Sequence, residues 1–183
     1  MTMRILPAAI AALALSLATP ALAELPRGAM APDFTAQGAL AGKPFSFSLK
    51  AALKKGPVVL YFYPKAFTSG CTAEAHAFAE ANADFRAAGA TVIGMSNDDI
   101  ATLKRFSTEA CRDKFAVAAA SKTVIKAYDV ALKVIGASTG LTKRTSYVIA
   151  PDGRIVMVHS DMDWRDHVKL TLEAARKIKS GKS

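Results

Sequence analysis

The stretch VVLYFYPKAFTSGCTAEA, residues 58–75, decides how the rest of the chain is read. Its first half is an apolar, aromatic run of strand type that stops at Pro64. A short loop, KAFTSG, follows, and Cys71 then opens a series of helix-forming residues. One sulfur is thereby placed at a strand-to-helix junction. The first turn of a helix has backbone N–H groups without intrahelical partners and carries the positive end of the macrodipole, which favours thiolate over thiol. Cys71 is therefore a candidate nucleophile. Thr68 stands three residues before it, within reach of the sulfur in a tight loop, and Pro64 can cover the thiolate while offering no N–H.

Pro64, Thr68 and Cys71 together read P-x-x-x-T-x-x-C, which resembles the active-site signature of the peroxiredoxins. The surrounding YFYPKAFTSGCTAEA is most similar to the bacterioferritin-comigratory-protein (PrxQ) branch of that family. The resemblance implies a thioredoxin-like α/β fold, a single domain with a central mixed β-sheet flanked by helices. It also implies a peroxidase acting on hydrogen peroxide and small organic hydroperoxides, with Cys71 as nucleophile and no haem, flavin or metal cofactor. The expected partners are the peroxide and a thioredoxin-like dithiol reductant, and the expected state is a monomer or weak dimer.

The N-terminal segment has a different character. Met1 to Ala23 has one early basic residue, Arg4, then an apolar run and an A-L-A end before Glu24, the pattern of a cleavable secretory signal. The apolar stretch is short and Pro20 interrupts it, which argues against a retained membrane anchor. On this reading the protein is exported, in a bacterium to the periplasm, and residues 24–183 form the mature domain. Taking 23 residues from 183 leaves 160, enough for one domain with a substantial core. The remaining 23 Lys and Arg outnumber 15 Asp and Glu, yet they are scattered and not interleaved with aromatics, so the pattern describes a solvated basic surface and not a nucleic-acid site.

The two cysteines, Cys71 and Cys111, do not form a C-x-x-C pair, which excludes the dithiol chemistry of thioredoxin itself. In an oxidising compartment they could form a structural bridge, or one that opens and closes in each turnover.

Outward from the central stretch the chain alternates strands and helices. FSFSL at Phe45 to Leu49 is the clearest early strand, and Lys50 to Gly56 is a helical or turn link. The helix after Cys71 is expected to run to Gly89, with Ala75, Phe78, Ala79 and Phe85 on its buried face. Strands follow at Thr91 to Ser96 and Phe115 to Ala120, helices at Ile100 to Arg112 and Ser121 to Tyr128. Ala131 to Thr142 shows no clear period and is expected to be loop. TSYVIAPDGRIVMVHS predicts a hairpin turned at Pro-Asp-Gly, and Trp164 to Lys177 a last helix. This alternation describes an α/β sandwich with a mixed sheet.

A thiolate that attacks an O–O bond needs negative charge stabilised on two oxygens as the bond breaks. Thr68 and the N–H groups of Gly70 and Cys71 can donate, but a fixed cation is also required. Arg144, just before a predicted strand in R-T-S-Y-V-I, resembles the arginine that the family places beside its cysteine; its neighbour Lys143 is the alternative. Thr68 also suits a helix N-cap, and Glu74 matches a position where the family carries a polar or acidic residue, though a first-turn carboxylate also complements the dipole.

Many members of the branch have a resolving cysteine five residues after the first, and here that position is His76. Cys111 is the remaining candidate, where some members carry theirs; it would condense with the sulfenic acid of Cys71 after local unwinding of a helix. The alternative is a core residue in a single-cysteine enzyme, and a redox sensor that hands its oxidation to a partner is the other functional class. His76, His159 and His167 show no ligand spacing and are expected to be surface or satisfied histidines. Trp164 is expected to pack the final helix.

Overall fold

A computed structural model of the protein describes residues 24–181. The first elements are a hairpin of β1 (Thr35–Leu40) and β2 (Lys43–Ser48), turned by Ala41 and Gly42, and a short helix α1 (Leu49–Leu53). Ser48 caps α1 by accepting the Ala51 N–H, so the FSFSL strand ends one residue before its Leu49. The central apolar run forms β3 (Val58–Phe62). After the loop come α2 (Ser69–Glu80) and α3 (Asn82–Ala87), then β4 (Thr91–Ser96), α4 (Ile100–Glu109), β5 (Ala116–Ala119) and α5 (Lys122–Ala127). The last third contains the β6 (Ala131–Val134) and β7 (Ala137–Thr142) hairpin, the β8 (Thr145–Ile149) and β9 (Ile155–Ser160) hairpin, and α6 (Arg165–Lys179).

Seven strands make one sheet in the order β2-β1-β5-β4-β3-β8-β9. β3 pairs parallel with β4 and antiparallel with β8, so the sheet is mixed, as expected. Every residue of β3 is buried, which explains why the sequence there is continuously apolar instead of alternating. Its side chains divide between two cores. Val59, Tyr61 and Tyr63 face α2, α3, α4 and α6, while Val58, Leu60 and Phe62 face α1 and α5. Cys71 and Cys111 both belong to the first core.

Two expectations need correction. Residues 131–142 are a hairpin and not a loop: Ile135 and Gly136 have φ values of 50° and 79°, the left-handed pair that a two-residue turn requires. Most of its side chains face solvent, so no apolar alternation marks it. The helix after Cys71 is also interrupted. α2 ends at Glu80, and Asn82 anchors the next segment by donating from its side-chain amide to the Lys114 carbonyl at 2.9 Å.

Tyr61 stacks on Phe78 with ring centroids 4.4 Å apart, and its hydroxyl occupies space that a side chain at Gly94 would fill, 2.8 Å from a Cβ placed there. That hydroxyl is buried without a hydrogen-bond partner. Tyr61→Phe is therefore expected to stabilise the fold by about 1 kcal/mol. Thermal denaturation followed by circular dichroism checks this, and a lowered midpoint would contradict it.

Candidate active site

Cys71 is the third residue of α2 and only 1% exposed. The first intrahelical bond runs from Thr72 N–H to Thr68 O at 2.9 Å, so the N–H groups of Gly70 and Cys71 have no partner within the helix. Pro64, without an N–H, ends the strand ladder after Tyr63, whose N–H still donates to Met95 O at 2.9 Å. The loop between is fixed from β4: Asp98 Oδ2 accepts from Ala66 N–H and from the Ser96 hydroxyl, both at 2.8 Å. Phe67 has a φ of 65°, a strained conformation for a bulky residue, and is held by an edge contact to Phe106 at 5.2 Å and by Arg105 over its ring at 5.0 Å. Thr68 occupies the N-cap position, and its hydroxyl donates to Lys65 O at 3.0 Å instead of capping the helix.

The cation comes from the start of β8, the neighbour of β3 on the side away from β4. Thr142 at the end of β7 donates its hydroxyl to Tyr63 O at 2.6 Å, which ties the start of β8 to the end of β3. Arg144 follows, 4% exposed, with each of its three guanidinium nitrogens engaged. Nε donates to Met162 O at 3.0 Å, Nη1 to Glu74 Oε2, and Nη2 lies 3.5 Å from Cys71 Sγ. Burial alone would weaken its hold on the proton, but Glu74 and Cys71 more than offset that, so the guanidinium stays charged. Lys143 points elsewhere and pairs with Glu24 at 2.7 Å.

Glu74, one turn beyond Cys71, is fully buried. Burial pushes its carboxyl up to about 8, against the opposing pull of Arg144. Beyond it lies His167 of α6, also fully buried, with Nδ1 at 3.8 Å from Glu74 Oε1 and 2.8 Å from the Ser146 hydroxyl. Burial lowers the His167 imidazole to about 4, so it is neutral near pH 7.

The folded chain thus brings Cys71 and Arg144 together and keeps Pro64 and Thr68 in the loop leading to the sulfur. Cys111 is not on a helix: α4 ends at Glu109, and Cys111 opens a turn in which Arg112 and Asp113 have φ values of 50° and 59°. Its thiol is completely buried, and burial pushes it far above the ordinary thiol range. Two residues play a larger part than their sequence suggested. His167 is satisfied, as expected, but within the site, and Glu74 is a buried partner of Arg144 and not only a first-turn complement to the dipole. Trp164 also borders the site, its Cδ1 lying 3.9 Å from where a Cβ at Gly70 would be. No spacing in the sequence connects α2, β8 and α6, so pattern reading had no means of finding this cluster.

Residues 27–158 match the model of the AhpC/TSA family. The chloroplastic peroxiredoxin Q of Arabidopsis thaliana is 36% identical over 139 residues, covering 76% of this chain and 61% of that protein. The crystal structure of peroxidoxin BcpB from Mycobacterium tuberculosis superposes with a TM-score of 0.71 at 31% identity, covering 83% of this chain and 97% of the other. The bacterioferritin comigratory protein of Xanthomonas campestris gives a TM-score of 0.68 at 25% identity, with 80% and 92% covered. The chain belongs to the AhpC/TSA family and is a thiol peroxidase with the thioredoxin-like fold, a peroxiredoxin of the PrxQ (bacterioferritin comigratory protein) type.

Proposed function

We propose that Cys71 is the peroxidatic nucleophile, that it reduces hydrogen peroxide and small organic hydroperoxides, and that Cys111 resolves it. The observation that carries the first part is the 3.5 Å approach of Arg144 Nη2 to Cys71 Sγ at the first turn of α2. The Cys71 thiolate attacks one peroxide oxygen in line, and the O–O bond breaks. Cys71 becomes a sulfenic acid, and the other oxygen leaves as hydroxide or alkoxide, which takes a proton from solvent. Arg144 and the N–H groups of Gly70 and Cys71 stabilise the negative charge on both oxygens. Thr68 and Pro64 shape the approach to the sulfur. The Xanthomonas relative, whose structures are described in terms of alkyl peroxide reduction, supports the organic hydroperoxides as substrates.

Condensation with the Cys111 thiol forms the disulfide and releases water, and a thioredoxin-like dithiol returns both thiols. Both cysteines lie in one core on one face of the sheet, and the strained turn at Arg112 and Asp113 marks where Cys111 can be released. The complete burial of Cys111 favours a second reading, a single-cysteine peroxidase. Export through residues 1–23, which lie outside the described residues, is the remaining part of the proposal and rests on their sequence.

Mass spectrometry after a few equivalents of peroxide separates the two readings. The expected products are a 71–111 disulfide in the wild type, and sulfenic or sulfinic acid on Cys71 in Cys111→Ser. Over-oxidation of wild-type Cys71 without a disulfide would remove Cys111 from the mechanism and leave the peroxidatic step intact.

A further inference from the structure

We propose that the cavity between β2, α1, α3 and the first residues of β4 and β5 binds a free fatty carboxylate, a single anionic head on an apolar chain, and that its occupancy holds the Cys111 turn closed. The cavity has a volume of about 420 Å³, within the range of small-molecule sites. It exists because α1 is short. Five helical residues rise about 7.5 Å, less than two strand spacings, so α1 cannot cover β1, β5 and β4 together. Phe47, Ile93 and Ala116, buried members of the core beneath α1 and α5, form part of the wall. Phe45 lines it too and stays 39% exposed, an apolar ring that the folded chain leaves in water.

The charge on the wall has one sign. Lys55 just after α1, Arg86 on α3 and Lys114 before β5 line the cavity, and no carboxylate does. Among the described residues none of these three side chains has an ion-pair partner. The neighbouring carboxylates are committed elsewhere, Glu80 to Arg112 at 3.2 Å and Asp84 to Arg176 at 3.3 Å. Three unpaired cations around an apolar hollow match an anion that carries its own apolar surface. An inorganic anion would leave the hollow unfilled, and a neutral lipid would leave the cations unmatched.

The site is remote from the peroxide chemistry. β3, β4 and β5 run parallel, and the cavity lies at the first residues of β4 and β5, whereas Cys71 follows the end of β3, a strand's length or about 17 Å along the sheet. Lys114 and Phe115 nonetheless tie it to the second cysteine. Lys114 N–H donates to Cys111 O at 2.9 Å, and Lys114 O accepts from Asn82, another residue of the wall. For Cys111 to leave the core, the turn through Arg112 and Asp113 must unwind, and Lys114 and Phe115 are drawn out of the wall with it. A ligand that binds only the closed turn opposes that release by mass action, by a factor of one plus its concentration over Kd. This consequence rests on Cys111 resolving Cys71, while the binding does not.

Isothermal titration of the reduced protein with sodium laurate, kept below its micelle concentration, is expected to give a single site, and dodecyltrimethylammonium bromide none. The double variant Lys55→Ala and Arg86→Ala removes two exposed side chains without touching the Cys111 turn, and is expected to bind laurate about tenfold more weakly or worse. Ala52→Leu, which fills the cavity from α1, should abolish binding while leaving the circular dichroism spectrum unchanged. No binding by the wild type, equal binding by the double variant, or equal binding of the ammonium surfactant overturns the site.

With laurate at ten times its Kd, rapid-quench mass spectrometry after peroxide is expected to show the 71–111 disulfide forming about tenfold more slowly in the wild type. At the same laurate concentration the Ala52→Leu protein should not be slowed. Laurate that binds but leaves the disulfide rate unchanged overturns the coupling to the turn. A wild type that forms no disulfide even without laurate overturns the role of Cys111, and the coupling with it, but not the binding.

Discussion

Cys71→Ser will abolish peroxide consumption, lowering the rate by about four orders of magnitude or more, to the background set by Cys111 and solvent. The size of the loss follows from the reaction and not from packing. Serine occupies nearly the same volume, and at a site 1% exposed its hydroxyl can still accept from Arg144, so the fold is expected to keep its thermal midpoint within a few degrees. It cannot act as the nucleophile, because a hydroxyl is a far weaker acid than a thiol and its oxygen is much less polarisable. Measurement of peroxide disappearance with a dithiol reductant, alongside circular dichroism, decides the matter. Retained consumption in a folded Cys71→Ser protein would move the nucleophile elsewhere and dissolve the mechanism. Activity lost together with the fold would call for Cys71→Ala as the cleaner variant.

The elements that sequence made legible are those whose pattern is set by local burial. β3, β4 and β5 are short apolar runs bounded by turn residues, and the β8–β9 hairpin is announced by Pro-Asp-Gly; all formed close to where expected. The β6–β7 hairpin was hidden because a two-stranded ribbon exposed on both faces has no reason to alternate, and only Gly136 hints at its turn. The break between α2 and α3 was hidden for the opposite reason. Phe78 and Phe85 both remain buried, so the apolar face continues through a kink that is fixed by Asn82 reaching to Lys114, 32 residues away.

The site divides along the same line. Cys71, Thr68 and Pro64 are adjacent in sequence, so their relation could be read as a spacing. Arg144 could be placed only by resemblance, since nothing local distinguishes it from Lys143, and the structure separates the two by sending one to Cys71 and the other to Glu24. Glu74, Ser146 and His167 come from three elements and meet only when α6 closes over β8 and β9. A buried polar cluster of this kind is specified by mutual satisfaction of hydrogen bonds, which a periodicity does not record.

Arg144→Lys is expected to slow the first oxidation of Cys71 by about a hundredfold, and Arg144→Met by about a thousandfold. The guanidinium serves three acceptors with three nitrogens: Met162 O, Glu74 Oε2 and Cys71 Sγ. A lysine ammonium is a single point that cannot reach all three from one position, and the anchor on Met162 that aims the fork is lost. A lysine placed to reach the Glu74 oxygen leaves the sulfur without its donor. Methionine removes the charge altogether, yet the protein is expected to fold, because Glu74 need not remain an unpaired buried anion. Arg144 is what pulls the Glu74 carboxyl down, so without it the carboxyl rises further above 8 and is buried neutral. The two variants therefore carry a paired signature, a slower single-turnover oxidation in both and a Glu74 acid band, the infrared carbonyl absorption of its protonated carboxyl, that persists to higher pH in Arg144→Met. Oxidation within threefold of wild type in Arg144→Lys would show that a fork-shaped cation is not what the sulfur requires. An acid band that moved to lower pH in Arg144→Met would show that the two buried groups are not coupled as their contact demands.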